Sequence, residues 1–146
     1  MKIRTSIALA GAVAIVGTGA FILPAAASAR TTTHTLAFTA ETKGSVGFSS
    51  STEAEQDTDV NSKGKVVGYD MLYVAVVSST TVAINITVDV DGGMLYGTAT
   101  LNGEGVVSNG KVTGGTGSFK GATGKFTVKT LNTAGTRHAV KFTYHG

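Results

Sequence analysis

The sequence predicts an all-β protein, folded as a small closed antiparallel β-barrel of about eight strands. Apolar and polar side chains alternate at period two along almost every stretch after Arg30, and glycine-containing turns separate these stretches. No part of that region shows a helical apolar pattern of useful length. Short, evenly spaced strands are typical of a sandwich or a closed barrel, and closure removes the exposed edges that invite aggregation.

The alternation is clearest in two of the predicted strands. Residues 33–40 place His34, Leu36 and Phe38 on one face, and residues 81–90 place five β-branched aliphatic side chains, Ile84 among them, on one face. A helix would spread those five around its circumference, so each segment is predicted to be a half-buried strand. The glycines at positions 92 and 93 then predict a hairpin turn, because glycine accepts a positive φ at no steric cost.

Residues 66–77 form a predicted strand that is largely apolar on both faces. Such a strand is expected to be covered on both sides, the outer one by a neighbouring subunit, which predicts a homo-oligomer. The chain then continues through predicted strands at 94–101, 106–113, 125–131 and 137–144, joined by turns that contain Asn and Gly.

The N-terminus predicts a cleavable secretory signal peptide over residues 1–29. Lys2 and Arg4 precede an uncharged apolar run, and Ala27-Ser28-Ala29 has the small-x-small pattern of a cleavage site. A retained membrane anchor is the alternative, but the run is short and contains three glycines. The predicted product is one secreted domain, residues 30–146, with no membrane attachment after cleavage. With no Cys, it has no disulfides and depends on its core alone.

The charged residues are divided along the chain. All nine acidic residues lie before residue 110, whereas residues 111–146 hold six basic side chains and no acidic one. A basic segment of this kind is compatible with binding to nucleic acid or another anionic polymer. We predict instead that the two parts lie side by side and neutralise each other, and that the protein binds no nucleic acid.

Residues 49–63 form the one long polar stretch, in which Glu53, Glu55, Asp57 and Asp59 alternate with other residues. Four carboxylates on one face of an extended segment could supply oxygen ligands to Ca²⁺. The stretch contains no twelve-residue calcium loop with Gly at the sixth position and Glu at the twelfth. We therefore predict a solvated, mobile loop here and no metal site, with cation binding by residues 53–59 left open.

Residues 113–124 (TGGTGSFKGATG) are rich in glycine. They match neither the P-loop nor the dinucleotide-binding fingerprint, and no helix is predicted to follow them, so phosphate binding is not supported. We predict a structural loop that turns sharply beneath the barrel and is fixed to the core by Phe119. The residues given this role are Gly114, Gly115, Gly117, Phe119, Gly121 and Gly124.

The same segment resembles the GGTG-x-F-x-x-A-x-G signature of dirigent proteins and of the related allene oxide cyclase barrels. Upstream, residues 64–70 (GKVVGYD) are similar to the Gly-x-x-x-Gly strand of that family. The resemblance covers roughly residues 64–144, and the leader and lack of Cys resemble exported bacterial members. It implies an eight-stranded barrel, often trimeric, with a mainly apolar cavity at one mouth. Thr123 stands where dirigent proteins commonly have Arg, and the family's acidic pair is replaced by residues 53–59 in a different pattern.

Three functions are compatible with these observations. The first is a barrel that binds a small apolar or phenolic molecule and directs its chemistry without a cofactor. The second is a cofactor-free isomerase or cyclase of the allene oxide cyclase kind, and the third is a structural or cell-wall interaction module. The candidate ligand-binding residues are Phe38, Tyr69, Met71, Tyr73, Ile84, Phe126 and Phe142.

The candidate catalytic residues are Asp70, Tyr69 and Tyr73. Asp70 lies either inside an apolar wall, where burial would raise its pKa, or at a strand end in solvent. His34 is predicted to be a wall residue, not a base. His138 and His145 fall on opposite faces of the last strand, so they cannot form a simple metal pair.

Overall fold

The computed structural model describes residues 32–102 and 106–146; the predicted signal peptide lies outside them. The described chain forms eight strands and one short 3₁₀-helix. The strands are β1 (Thr33–Ser49), β2 (Thr52–Val60), β3 (Val66–Ser78), β4 (Thr81–Val90), β5 (Gly93–Asn102), β6 (Val106–Gly115), β7 (Thr123–Thr130) and β8 (Arg137–His145), with the 3₁₀-helix at Gly117–Phe119. Each strand pairs antiparallel with its neighbours in sequence, and β8 pairs with β1. The predicted closed barrel is confirmed.

The alternation of apolar side chains fills the barrel interior. Its buried apolar residues are Phe38, Ala40, Ile84, Ile86, Val88, Leu95, Val107, Val112, Phe119, Ala122, Phe126, Val140 and Phe142. Phe142 stacks on Phe38 and on Phe126, with ring centroids 6.4 and 5.2 Å apart. The Phe126 ring lies directly over Gly97 and Gly110, where a Cβ atom would overlap it. Small residues opposite a large ring let this narrow barrel pack its interior.

The two ends of the barrel differ. At the closed end, the turn at Gly92 and the loop 116–122 join the strands, and Phe119 inserts its ring between that loop and the core, 7 % exposed. The Ser118 N–H donates to the Gly92 carbonyl at 2.8 Å, and Gly117 has a φ of +56°. Residues 116–122 of the glycine-rich segment thus form a structural loop held by Phe119, whereas Gly114 and Gly115 end β6 and Gly124 lies in β7. The open end is formed by the loops at residues 50–51, 79–80 and 131–136.

The prediction of a mobile loop over residues 49–63 is wrong. Most of this stretch is strand β2, hydrogen-bonded to β1 on one side and β3 on the other. Its alternation is that of a strand whose inward face is acidic, with Asp57 and Asp59 buried in the barrel. Polarity alone misled the prediction, because carboxyl side chains occupy positions where apolar residues are usual.

Strand β3 carries an exposed apolar face on the outside of the barrel. Tyr69 and Met71 are 55 % and 57 % exposed, Tyr73 is also exposed, and the Tyr73 ring lies 6.3 Å from that of Phe48. Strand β3 is therefore apolar on both faces, as predicted. No element among the described residues covers its outer face. In that part of the chain no helix is long and apolar enough to span a membrane.

Candidate functional site

A cavity of about 190 Å³ lies inside the barrel at its open end. Its walls are mostly apolar and come from β3 to β7, with one polar edge formed by β2, β7 and β8. The apolar lining consists of Leu72, Val74, Ile84, Leu101, Val107 and Val128, and the polar lining of Glu55, Thr130 and His138. A concave apolar space with a few converging polar groups is the usual form of a small-molecule site.

The polar edge presents a carboxyl group and an imidazole to the cavity. Nδ1 of His138 lies 3.3 Å from the Thr130 hydroxyl, whereas its Nε2 is buried and has no hydrogen-bond partner among the described residues. Burial raises the pKa of Glu55, and the neighbouring Asp57 and Glu53 raise it further, while His138 opposes the shift. The edge can therefore hold a polar group of a ligand from two sides.

A buried carboxyl cluster, formed by Asp57, Asp59 and Asp70, lies deeper than the cavity. The three side chains are only 2, 0 and 3 % exposed. Asp57 and Asp70 face each other directly across β2 and β3, and each lies two residues deeper than a cavity-lining residue, Glu55 or Leu72. The register therefore places the cluster directly beneath the cavity.

Burial controls the protonation of this cluster. It raises the pKa of Asp70 to about 9, with the charges of Asp59 and Asp57 adding to the shift. It raises the pKa of Asp59 to about 7, and the pKa of Asp57 is raised as well. Hydrogen bonds from Asp70 to Asp59 and Asp57 raise the pKa of Asp70 further and oppose the rise at the other two carboxyl groups. The cluster therefore retains protons at neutral pH, and a proton on Asp70 is available to a neighbouring carboxylate.

Within residues 32–102 and 106–146, no group of three or more His, Cys, Asp or Glu side chains is arranged to hold a metal ion. The raised pKa values of Asp59 and Asp70 indicate that bound protons limit the charge repulsion within the cluster.

The structure separates the predicted site residues into three groups. Asp70 lies in the barrel wall beneath the cavity, which is the first of the two placements considered for it, and Ile84 lines the cavity. Three of the predicted ligand contacts lie deeper, in the packed core: Phe38, Phe126 and Phe142.

The remaining predicted site residues point away from the cavity. Tyr69, Met71 and Tyr73 occupy the outer face of β3, because they alternate with the inward-facing Asp70 and Leu72. They are not cavity contacts in this structure. His34 is also exposed, and its ring stacks on Tyr144 at the closed end with a centroid distance of 5.4 Å.

Sequence reasoning missed the polar edge of the cavity. His138 was considered only as a partner for His145, and Glu55 only as part of a loop. A signal for both was present: His138 alternates with Val140 and Phe142 on the inward face of β8, and Glu55 alternates with Asp57 on β2. The alternation of the predicted strand β8 is sufficient to place His138 inside the barrel, whereas Glu55 could be placed there only by recognising β2 as a strand.

No protein-family model and no curated protein sequence matches the chain, but solved structures do. A pyocyanin demethylase is 18 % identical with a TM-score of 0.63, covering 76 % of this chain and 99 % of its own. The pterocarpan synthase dirigent protein GePTS1 is 17 % identical with a TM-score of 0.58, covering 79 % and 86 %. The exo-specific intermolecular Diels-Alderase AbnU is 9 % identical with a TM-score of 0.64, covering 79 % and 99 %. The predicted dirigent-like barrel is confirmed as a fold.

Proposed function

We propose that this barrel binds a small, mainly apolar molecule of about one ring, phenols included, in the cavity at its open end. Glu55 and His138 hold the polar group of the ligand, and the apolar wall holds the ring. No cofactor takes part. The observation that carries the proposal is the apolar cavity with a single polar edge.

The volume of the cavity sets the size of the ligand. An engineered apolar cavity of about 150 Å³ is known to bind benzene. A space of about 190 Å³ therefore accommodates one aromatic ring with a small substituent, whereas a two-ring molecule would project through the open end.

The polar edge sets the preferred functional group. Nε2 of His138 is buried without a hydrogen-bond partner among the described residues, and a phenolic hydroxyl can both donate and accept a hydrogen bond. An anionic ligand is disfavoured, because Glu55 and the buried carboxyl cluster make the interior acidic. The proposal therefore favours a phenol over a benzoate of the same size.

The named reactions of similar structures support a role in small-molecule chemistry. The matching barrels are described as a demethylase, a pterocarpan synthase dirigent protein and a Diels-Alderase. We extend only the general class to this chain: a barrel whose cavity positions a small organic molecule.

Calorimetric titration with p-cresol tests the proposal. We expect a Kd on the order of 0.1–1 mM, which is typical of a ligand with so few atoms in a preformed cavity. Val128→Phe fills the cavity and should weaken binding at least tenfold. Thr127→Phe is the matched control, because Thr127 is the neighbouring residue on the exposed face of β7.

The outcomes separate the proposal from nonspecific binding. Retained affinity in Val128→Phe, or an equal loss in both variants, would show that the cavity is not the site. Absence of p-cresol binding to the wild-type protein at millimolar concentration would end the proposal.

The second candidate function is a cofactor-free isomerase or cyclase. The observation that favours it is the position of a carboxyl group and an imidazole on one edge of an apolar cavity, above carboxyl groups that retain protons at neutral pH. Such an arrangement could remove a proton from carbon and return one elsewhere on the same molecule.

Deuterium exchange at the α-carbon of cyclohexanone tests this candidate without knowledge of the natural substrate. We expect exchange in D₂O above the buffer rate, and a loss of at least tenfold in Glu55→Gln with ketone binding retained. An exchange rate equal to that of buffer alone would refute catalysis and leave the binding proposal standing.

We propose further that the protein acts outside the cell as a homo-oligomer. Export follows from the predicted signal peptide, and a second copy would cover the exposed apolar face of β3. Met71→Lys should convert the protein to monomers in sedimentation velocity. The control Thr127→Lys, on the outer face of β7 across the barrel, should not. A wild-type monomer at 100 μM, on the order of the concentrations at which weak self-association is seen, would refute the oligomer.

A further inference from the structure

Half of the acidic side chains among the described residues lie inside the barrel, away from the basic side chains on its outer surface. Glu55, Asp57, Asp59 and Asp70 line the interior of the barrel. Among residues 32–102 and 106–146, four acidic side chains and nine basic ones lie outside the barrel interior. Within the basic C-terminal segment Arg137 pairs with Glu41, but no ion pair of the described residues includes a lysine of that segment, so the predicted neutralisation is found only in part.

Four lysines form an array on the outer face of β6, β7 and β8, hereafter the lysine face: Lys111, Lys125, Lys129 and Lys141. All four are exposed. Lys111 and Lys125 are directly opposite each other in the ladder between β6 and β7. Lys141 is opposite Thr127, and is therefore diagonal to both Lys125 and Lys129. Opposite side chains lie about 5 Å apart at Cβ and diagonal ones about 7–8 Å, so the four charges form one continuous path.

Among residues 32–102 and 106–146, no ion pair includes a lysine of this array. The ion pairs of the described residues are Lys43–Glu41 and Arg137–Glu41, neither of which includes a residue of the lysine face. The other cross-strand partners of the four lysines are uncharged: Ala37, Thr98, Val106, Thr127, Ala139 and Thr143. Like charges placed directly opposite each other destabilise a sheet. The arrangement of Lys111 and Lys125 is thus unfavourable until an anion lies between them.

We propose that the lysine face binds a linear polymer of phosphate groups. Lysine acts as a point charge for phosphate, and the threonine hydroxyls between the lysines can donate to phosphate oxygens. The face belongs to a convex barrel wall, which a flexible chain can follow and which a flat membrane would touch at few points. No aromatic side chain is a cross-strand partner of the lysines, so the face offers nothing on which nucleic-acid bases could stack.

Binding of medium-chain inorganic polyphosphate, measured by fluorescence anisotropy over a range of salt concentrations, tests the proposal. Four contacts predict a slope of log K against log salt of roughly −3, and Lys111→Gln/Lys125→Gln should reduce it by roughly half. Lys111→Arg/Lys125→Arg should restore it. The matched control is Lys63→Gln/Lys65→Gln, which removes the same charge from the β2–β3 loop on the other side of the barrel and should leave the slope near the wild-type value.

Several results would overturn the proposal. Absence of binding at 20 mM salt, roughly the condition where charge attraction is strongest, would refute it directly. An equal effect of the two glutamine pairs would show a response to net charge only. Tighter binding of oligo-dT of equal charge would indicate a nucleic-acid site, and tighter binding of vesicles containing phosphatidylglycerol would indicate a membrane surface. None of these outcomes bears on binding of p-cresol in the cavity.

Discussion

The buried carboxyl cluster predicts that the protein loses stability as pH rises from 5 to 6.5. In the unfolded chain an aspartate ionises near its ordinary pKa of 3.8, whereas folding raises the pKa of Asp70 to about 9 and that of Asp59 to about 7. Over this pH range the folded protein therefore binds about two more protons than the unfolded chain does. Rising pH favours the state with fewer protons, which is the unfolded one.

The size of the effect follows from the number of excess protons. Each one changes the free energy of unfolding by roughly 1–1.5 kcal/mol per pH unit. Two protons give a decline of roughly 3 kcal/mol per pH unit, a large share of the roughly 5–15 kcal/mol that stabilises a typical domain. Asp70→Asn removes one of the protons, and its amide can donate to the neighbouring carboxylates. In this variant the free energy of unfolding should decrease with pH at about half the wild-type rate or less. The variant should also be more stable than the wild type at pH 6.5.

Urea unfolding at pH 5.0, 5.5, 6.0 and 6.5 measures this decline. Asp89→Asn is the control, because it removes a carboxyl group that is exposed on the outer face of β4. A wild-type stability that is constant or rises over this range would refute the reasoning. So would an equal decline in the Asp70 and Asp89 variants.

Two further predictions concern packing. Gly97→Ala would place a Cβ atom 2.6 Å from Cε1 of Phe126 and should lower the free energy of unfolding by about 1–3 kcal/mol, whereas Gly47→Ala, with nothing within 4 Å, should change it by less than about 0.5 kcal/mol. Phe119→Ala removes the ring that holds the glycine-rich loop and should cost about 3–5 kcal/mol, whereas the 63 % exposed Phe48 should tolerate the same change. Urea unfolding at pH 5 measures both; equal losses in test and control variants would contradict the packing assigned here.

The barrel could be predicted from the sequence because its signal is local. Strand β4 needs only its own alternation to be recognised, and the loop around Phe119 needs only its glycines. The predicted strand boundaries at residues 81–90 agree with those observed. Short antiparallel strands on tight turns then leave few alternatives to a sandwich or a closed barrel.

The site could not be predicted in the same way, because it depends on which face of each strand turns inward. For β3 the two faces are nearly equal in apolarity, so Tyr69 and Tyr73 were as plausible inside as Leu72 and Val74. The deciding fact is the register of β2, which sets Asp57 opposite Asp70. That pairing joins residues from two strands, one of which was not recognised, and a strand whose two faces are alike in apolarity specifies its register only weakly.

The pairing of β1 with β8 has a consequence for how the chain folds. Thr33 is the register partner of His145, so the last hydrogen bonds of the barrel join residues from the two ends of the described chain. A growing chain cannot complete the barrel until β8 has been synthesised, and until then β1 presents a free edge. The pairing of β1 with β8 therefore joins residues that are furthest apart in the described sequence. We expect the formation of this pairing to be the slow step of folding. The same adjacency makes the barrel a candidate for circular permutation, with a short linker after residue 146 and new ends in an exposed turn such as residues 79–80.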